Sequence, residues 1–310
     1  MTKFYLKKFF YTGLIFLTVI FISFFSMKLI PGDPIDALFG QRRPTPEQRQ
    51  TKEKELGLDV SLFEQFSKYL KNIFLKFDFG NSYYGDKTKA LNMFWEAFQN
   101  TLQISLLSCF LGSFIGIFLG VLASFWQDTK KSFLLDFFSI LMISLPTFVI
   151  GFLLQIIFGN YFRILPLSGF NTWKYMILPI STLSLYVSGS VFKTTLNSMN
   201  ESLEQPYIVT AYAKGLSKKN IIFKHALKNA LIPIIAHIGL ILSFLVGGSI
   251  ITESIFNIKG IGDLIISSFE KRDFPVIQCC IILLALFISI VNLFLDLIYF
   301  WLDPKINKKS

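Results

Sequence analysis

Six long apolar runs constrain the fold of this chain more than any other feature. The first, Phe9 to Met27, contains no charged residue and is long enough to cross a hydrocarbon core about 30 Å thick. Comparable runs follow at Thr101–Trp126, Phe133–Phe158, Tyr175–Leu196, Ile234–Ile251 and Val276–Leu302. The first run is too long for a signal peptide and lacks a small-x-small cleavage site, so we expect an uncleaved helix. The sequence therefore predicts an all-α polytopic membrane protein with six transmembrane helices, in a single transmembrane domain over residues 1–310.

Basic residues are distributed as membrane topology requires. The chain has 310 residues, 53% of them hydrophobic, and a formal net charge of +10. With the N-terminus inside, the cytoplasmic segments carry 13 basic residues: Lys3, Lys7, Lys8, Lys130, Lys131, Lys214, Lys218, Lys219, Lys224, Lys228, Lys305, Lys308 and Lys309. The two short outside loops carry five: Arg163, Lys174, Lys259, Lys271 and Arg272. The positive-inside rule predicts that both termini are cytoplasmic. Because the charge is spread between apolar runs, the expected partner is the lipid bilayer and not nucleic acid.

The segment between the first two runs, residues 31–100, is predicted to be a structured extracytoplasmic loop. Two capping-box patterns open helices within it, Thr45 with Gln48 and Ser61 with Glu64. Apolar residues follow Ser61 at helical spacing, which predicts an amphipathic helix on the membrane surface or against the bundle. A docking face for an external partner is the alternative for this helix.

A second polar interruption, residues 197–233, separates the fourth and fifth runs. Pro206 is suited to the first turn of a helix and Gly215 to a helix stop, so a short helix is predicted between them. The following segment, 217–233, has four lysines opposite an apolar face. The residue pattern alone fits an ordinary basic surface helix that leads into a membrane span, or a contact with a cytoplasmic partner.

Small residues recur every fourth position along the second run. They are Ser108, Gly112, Gly116, Gly120 and Ser124, and they share one helix face. A stripe of this kind lets a second helix backbone approach closely in lipid. We therefore predict that Gly112, Gly116 and Gly120 are helix-packing residues.

Ionisable residues are rare inside the apolar runs. His237 begins the fifth run without a second ligand nearby, Glu253 follows its end, and Asp136 lies near the start of the third. We expect His237 to be a core or interfacial residue, and the three cysteines to be packing residues. No G-x-S-x-G, H-E-x-x-H or G-x-x-x-x-G-K-[ST] motif occurs. The chain is therefore expected to have no catalytic residue, no metal site, no cofactor of its own and no enzymatic activity.

Several stretches, taken in order, resemble one known family. They are LIPGDP at 29–34, DFGNS at 78–82, TAYAKGLSKKNIIFKHALKNALIP at 210–233, VGGSIITESIFNIKGIGDLI at 246–265 and VNLFLDLIYFWLDPKI at 291–306. The chain resembles permease subunits of binding-protein-dependent ABC importers, in the dipeptide, oligopeptide and nickel branch. The long first outside loop resembles that of the B-type subunit of the paired permeases.

The resemblance implies a type I ABC importer permease fold in a bacterial inner membrane. It implies a second permease subunit, two cytoplasmic ATPase subunits that hold ATP and Mg, and an extracytoplasmic substrate-binding protein. The expected cargo is a di- or oligopeptide, and nickel or a metal chelate is the alternative within the family. From a different class, an ion-coupled secondary transporter that works alone remains the competing hypothesis, and a membrane enzyme lacks the convergent catalytic groups it would need.

The same resemblance implies that residues 197–233 are a cytoplasmic coupling loop. The coupling residues would be Tyr207, Thr210, Ala211, Lys214 and Gly215. A Glu-Ala-Ala triplet precedes this glycine in the wider superfamily, whereas this chain has Val-Thr-Ala there. Tyr212 also stands where this branch commonly has Arg, so docking would depend on apolar contact and backbone capping.

Overall fold

The structure, a computed structural model, describes residues 2–29, 34–39, 44–84, 88–170 and 172–302. The predicted cytoplasmic C-terminal lysines and most of the LIPGDP stretch lie outside these residues. The helices are α1 Thr2–Leu29, α2 Pro34–Phe39, α3 Pro46–Leu56, α4 Leu62–Lys76, α5 Ala90–Phe125, α6 Lys130–Ser144, α7 Thr147–Leu154, α8 Trp173–Leu203, α9 Pro206–Ala213, α10 Lys218–Asn220, α11 Leu227–Gly248, α12 Ile250–Phe256, α13 Ile261–Lys271 and α14 Phe274–Leu302. Wider π-helical turns extend α7 over Gln155–Tyr161 and join α10 to α11 over Ile221–Ala226.

Within the described residues, five helices are long and apolar enough to cross a membrane, and a bent pair gives a sixth if it is counted as one span. The five are Lys8–Leu29, Ala90–Phe125, Trp173–Leu203, Lys218–Gly248 and Phe274–Ile298. Each contains or overlaps a predicted run, and the α-helical fold predicted from the runs is confirmed. Several helices extend beyond the predicted bounds, because polar turns at a helix end remain helical after the apolar run stops.

The third predicted span is broken. Helix α6 ends at Ser144, α7 begins at Thr147, and the two are bent by 99°. Leu145 between them is extended, with φ −78° and ψ 129°, since the ring of Pro146 disfavours helical backbone in the residue before it. The proline therefore sets both the end of one helix and the start of the next.

By their internal contacts the described residues form two units. The first contains residues 101–258 and the chain from 290 onward. Its largest buried cluster includes Val187 and Val191 of α8, Ile234 of α11, and Ile221 and Ile222 of the π-helical turn, all 0% exposed. Helix α8 lies at the centre of this unit and packs against α5, α6, α7 and α11.

The second unit contains residues 2–100 and 259–289. Helix α4 lies lengthwise against α1, with the rings of Phe74 and Phe16 centred 6.3 Å apart and those of Phe66 and Phe24 5.1 Å apart. The predicted capping box of Thr45 and Gln48 is present, and Gly57 ends α3 with φ +64°. Ser61 caps α4 through the Glu64 N–H, but the Glu64 carboxylate lies 3.3 Å from Lys68 Nζ, so this box forms only in part.

Candidate functional site

The predicted short helix is α9, and its two ends follow from the sequence. Pro206 occupies the first turn after Gln205, where the missing N–H has no helical partner. At the other end Gly215 adopts φ +77°, and its N–H donates to Tyr212 O at 2.9 Å. A left-handed residue of this kind reverses the chain and closes the helix. Pro206–Gly215 is called the coupling segment below.

The coupling segment has a buried and an exposed face. Ile208 and Ala211 are 1% and 5% exposed and join the core cluster of the first unit. Tyr207, Val209 and Tyr212 are exposed, Val209 by 67%. Of the predicted coupling residues, the structure brings Tyr207, Thr210, Lys214 and Gly215 to the surface and places Ala211 inside. Val209 and Tyr212 are exposed as well but were not among the predicted coupling residues, although both precede the helix stop in the sequence.

A continuous helix follows the coupling segment. From Lys218 the chain stays helical through the π turn to Gly248, so the predicted basic helix and the fifth span are one element. Its predicted apolar face is buried: Ile221, Ile222 and Ala226 are 0% exposed, and this turn packs against α9. Movement of α9 would therefore be transmitted directly to α11.

The predicted packing glycines lie between α5 and α8. A Cβ added to Gly112 would lie 2.6 Å from Val187 Cβ, one on Gly116 2.7 Å from Ser188 O, and one on Gly120 2.7 Å from Thr195 Cβ. Real Cβ atoms are not found so close to other heavy atoms, so the two helices approach to a distance that only glycine permits.

Two polar contacts cross between the membrane helices. Ser190 Oγ of α8 lies 2.8 Å from His237 Nε2 of α11, and Lys193 Nζ of α8 lies 2.7 Å from Asp136 Oδ1 of α6. All four side chains are only partly buried. His237 and Asp136 were noted in the sequence, but their partners were not, because each partner is remote along the chain.

The partners of these two contacts belong to a stripe along α8. Tyr186, Ser190, Lys193 and Asn197 are spaced by three or four residues and share a face. Across from it on α11 lie His237 and Phe244, and the Phe244 ring is centred 6.5 Å from that of Tyr186. We call these six residues the α8–α11 polar face. The period of polar residues in α8 could have revealed the stripe, but not which helix it faces.

A buried carboxylate joins α5 to α12. Glu253 is 2% exposed, and its Oε1 accepts hydrogen bonds from Thr101 Oγ1 at 2.6 Å and Ser249 Oγ at 2.7 Å. Gln155 Nε2 donates to the nearby Ile255 O at 3.2 Å. These bonds hold α12 in place immediately after α11 ends.

Neither a metal cluster nor a disulfide occurs within the described residues. No group of three His, Cys, Asp or Glu side chains is placed to hold a metal ion there. The three cysteines are free and buried.

Two family models together match almost the whole chain. Residues 112–308 match "Binding-protein-dependent transport system inner membrane component", and residues 1–104 match its N-terminal counterpart, "Binding-prot-dependent transport system membrane comp, N-term". The chain belongs to this family. It is a permease subunit of a binding-protein-dependent ABC importer, and the predicted family is confirmed.

Relatives of similar length share this assignment. The glutathione transport system permease protein GsiC of Escherichia coli K12 is 33% identical over 288 residues, which cover 93% of each chain. GsiC of Salmonella paratyphi A is 33% identical over 293 residues, or 94% of this chain and 95% of that protein.

Solved structures support the type I permease fold. A chain of the inward-facing MetNI methionine ABC transporter superposes with a TM-score of 0.59 at 17% identity, covering 69% of this chain and 97% of that one. A chain of an amino acid ABC transporter with histidines gives 0.53 at 14% identity, covering 67% and 94%.

Family membership also bears on the predictions about enzymatic activity, partners and localisation. Permeases of this family are transport subunits and not enzymes, and ATP hydrolysis takes place on separate subunits. A substrate-binding protein is part of such an importer. The chain is a multi-pass inner-membrane protein. Its membership of an importer family replaces the hypothesis of an ion-coupled secondary transporter.

Proposed function

We propose that this chain, together with a second permease subunit, forms the pathway of an importer for di- and oligopeptides. The named cargo of the GsiC relatives, glutathione, is a tripeptide, which supports this substrate class. The α8–α11 polar face supports it as well, because its hydroxyl, imidazole and amide groups match the amides of a short peptide. Polar side chains on membrane helices that are not fully buried favour a water-filled path over lipid.

The partner proteins lie on opposite sides of the membrane in this proposed importer. Both termini and the coupling segment lie in the cytoplasm, where two ATPase subunits hold ATP and Mg. The extracytoplasmic side contains residues 31–100 and receives the substrate-binding protein. The count of basic residues in the short loops supports this orientation.

The coupling role is inferred from the two faces of α9, one exposed and one buried. Its exposed Val209 and Tyr212 offer an apolar contact to an ATPase, while its buried Ile208 and Ala211 fix it to the helix that continues into the fifth span. Closure of the ATPases would then displace α9 and the attached spans as a rigid body.

Replacing Gly215 tests this role, and the chain offers a matched control. Gly215 and Gly57 both end a helix with positive φ, and among the described residues neither has an atom within 4 Å of an added Cβ. A Gly→Val change at either position therefore introduces the same kind of backbone strain, about 1–2 kcal/mol. We expect Gly215→Val to lose most ATP-driven uptake and cargo-stimulated ATP hydrolysis in the reconstituted importer, and Gly57→Val to retain both. Normal uptake and stimulation in Gly215→Val, at normal assembly, would remove α9 from the coupling mechanism.

A further inference from the structure

The second unit contains a cavity of about 660 Å³ that transport of cargo does not explain. It is bounded by the C-terminal end of α1, by α2, α3 and α4, by residues 78–83 and by the start of α14. Its volume is within the range of small-ligand sites, roughly 300–1,000 Å³. Phe24, Phe79 and Phe274 give it aromatic walls.

The surroundings of the cavity are those of a membrane boundary. Helix α4 contacts α1 from Phe16 to Lys28, so it runs beside the last half of a membrane span. At that level α4 leaves Phe63 and Leu75 about four-fifths exposed, at 80% and 79%. Large apolar side chains in such positions are stable against lipid and not against water. The cavity therefore opens where α1 reaches the headgroup region.

The cavity is lined by hydrogen-bond donors that do not have enough acceptor groups to pair with. Tyr69 Oη is buried and has no hydrogen-bond partner among the residues that the structure describes. Burial raises the pKa of the Tyr69 hydroxyl, so it remains a protonated donor. Lys28 Nζ donates to Gln65 Oε1 at 2.7 Å, which uses one of its three protons. Gln278 is 8% exposed and lies in the lining of the cavity.

The charge of the lining is positive. Four lysines, Lys28, Lys52, Lys54 and Lys68, and two carboxylates, Glu55 and Asp78, lie in the lining, and Lys68 pairs with Glu64 at 3.3 Å. Lys52 pairs with Glu55 at 2.7 Å, and Asp78 Oδ1 accepts from the N–H of Gly80 in its own loop. Neither Lys28 nor Lys54 forms an ion pair with another described residue. An occupant rich in acceptors and negatively charged would satisfy both the donors and the lysines.

We propose that this cavity binds the phosphate-bearing headgroup of an anionic phospholipid. The phosphate accepts from Lys28 and Tyr69, the polar headgroup end reaches Gln278, and the acyl chains lie along the apolar residues that α4 exposes. Bound lipid thereby links α1, α4 and the start of α14. The site is separate from the α8–α11 polar face and does not depend on which peptide the importer carries.

The test uses the assembled importer, purified in detergent and depleted of lipid. Phosphatidylglycerol, phosphatidylcholine and soluble glycerol phosphate are each titrated, and binding is followed by native mass spectrometry and by the midpoint of thermal unfolding. The variants are Tyr69→Phe and Lys28→Gln. Lys71→Gln is the control, because Lys71 is exposed on α4 with the same charge but does not line the cavity.

We expect phosphatidylglycerol to raise the midpoint in the wild type and in Lys71→Gln, and each cavity variant to weaken binding about tenfold. Without lipid, Tyr69→Phe should be as stable as the wild type or slightly more so, since the hydroxyl it removes has no partner. Equal binding of phosphatidylcholine, or unaltered phosphatidylglycerol binding in both cavity variants, would overturn the proposal. A shift of the same size with glycerol phosphate would overturn the assignment to lipid.

Discussion

Gly116 shows how a single hydrogen atom determines helix packing in this protein. Its Cα faces the backbone of α8, and a Cβ there would meet Ser188 O at 2.7 Å and Phe192 N at 2.9 Å. Backbone atoms cannot move aside as the end of a side chain can. The helices must separate if this position gains a side chain, and every contact along the stripe is then lengthened.

A Gly116→Val variant should therefore be destabilised by about 1–3 kcal/mol through overpacking. Gly13→Val is the control, because no atom of the part of the chain that the structure describes lies within 4 Å of a Cβ at Gly13 in α1. Thermal unfolding of the purified importer in detergent measures both. A similar midpoint for the two variants would show that α5 and α8 do not need this close approach.

The ion pair between Lys193 and Asp136 joins α8 to α6. Its side chains are 39% and 30% exposed, so water screens the pair less than at an ordinary surface. Lys193→Met alone leaves the Asp136 carboxyl group without its partner inside the membrane region, at an expected cost of about 1 kcal/mol or more. Adding Asp136→Leu should recover most of that loss, whereas Arg49→Met, which breaks a pair on α3, should have little effect. A double variant no more stable than Lys193→Met would mean that the two charges do not depend on each other.

The turn between α13 and α14 is the element most dependent on one side chain. Asp273 is 3% exposed; Ser82 Oγ donates to its Oδ2, and the Tyr83 N–H donates to its Oδ1 at 3.1 Å. Tyr84 Oη donates to Lys271 O in the same turn. One carboxylate thus attaches the loop after α4 to the start of the last span.

Burial raises the pKa of Asp273, although the bonds from Ser82 and Tyr83 and the charge of Lys271 act in the opposite direction. The folded state therefore favours the protonated acid. The contribution of Asp273 to the free energy of unfolding is fully present below the pKa of this group in the unfolded chain, near 3.8. It is lost as the pH rises through the higher pKa of Asp273 in the folded protein.

An Asp273→Asn variant should lack this pH dependence. We expect the unfolding midpoint of the wild type to fall relative to that of Asp273→Asn as the pH rises from about 4 toward neutrality. Asp273→Ala should be less stable than Asp273→Asn at every pH, by about 1–3 kcal/mol, because it leaves the Ser82 and Tyr83 donors without an acceptor. Parallel pH profiles for wild type and Asp273→Asn would contradict the raised pKa.

At the scale of the whole molecule, the sequence predicts the features that depend on residues close together along the chain. The six spans follow from apolar length, and the ends of α3 and α9 follow from Thr45, Gly57, Pro206 and Gly215, because caps and stops are local. The bend before Pro146 was only partly predictable: the proline marks a break, but the 99° angle depends on what each half packs against. Contacts between remote residues were not predictable at all.

The polar pairs illustrate this limit. Ser190 and His237 are 47 positions apart, and Lys193 and Asp136 are 57 apart. A single sequence shows that each polar residue is unusual in its span but does not show its partner. The cavity beside Tyr69 is likewise assembled from six separate parts of the chain.

Uptake by proteoliposomes tests the central claim most directly. The chain is reconstituted with its second permease and two ATPase subunits, and a labelled tripeptide is supplied with the external binding protein. The account predicts accumulation that requires internal ATP, requires the binding protein and is unaffected by collapse of ion gradients. Accumulation driven by an ion gradient in vesicles that contain this chain alone would contradict it.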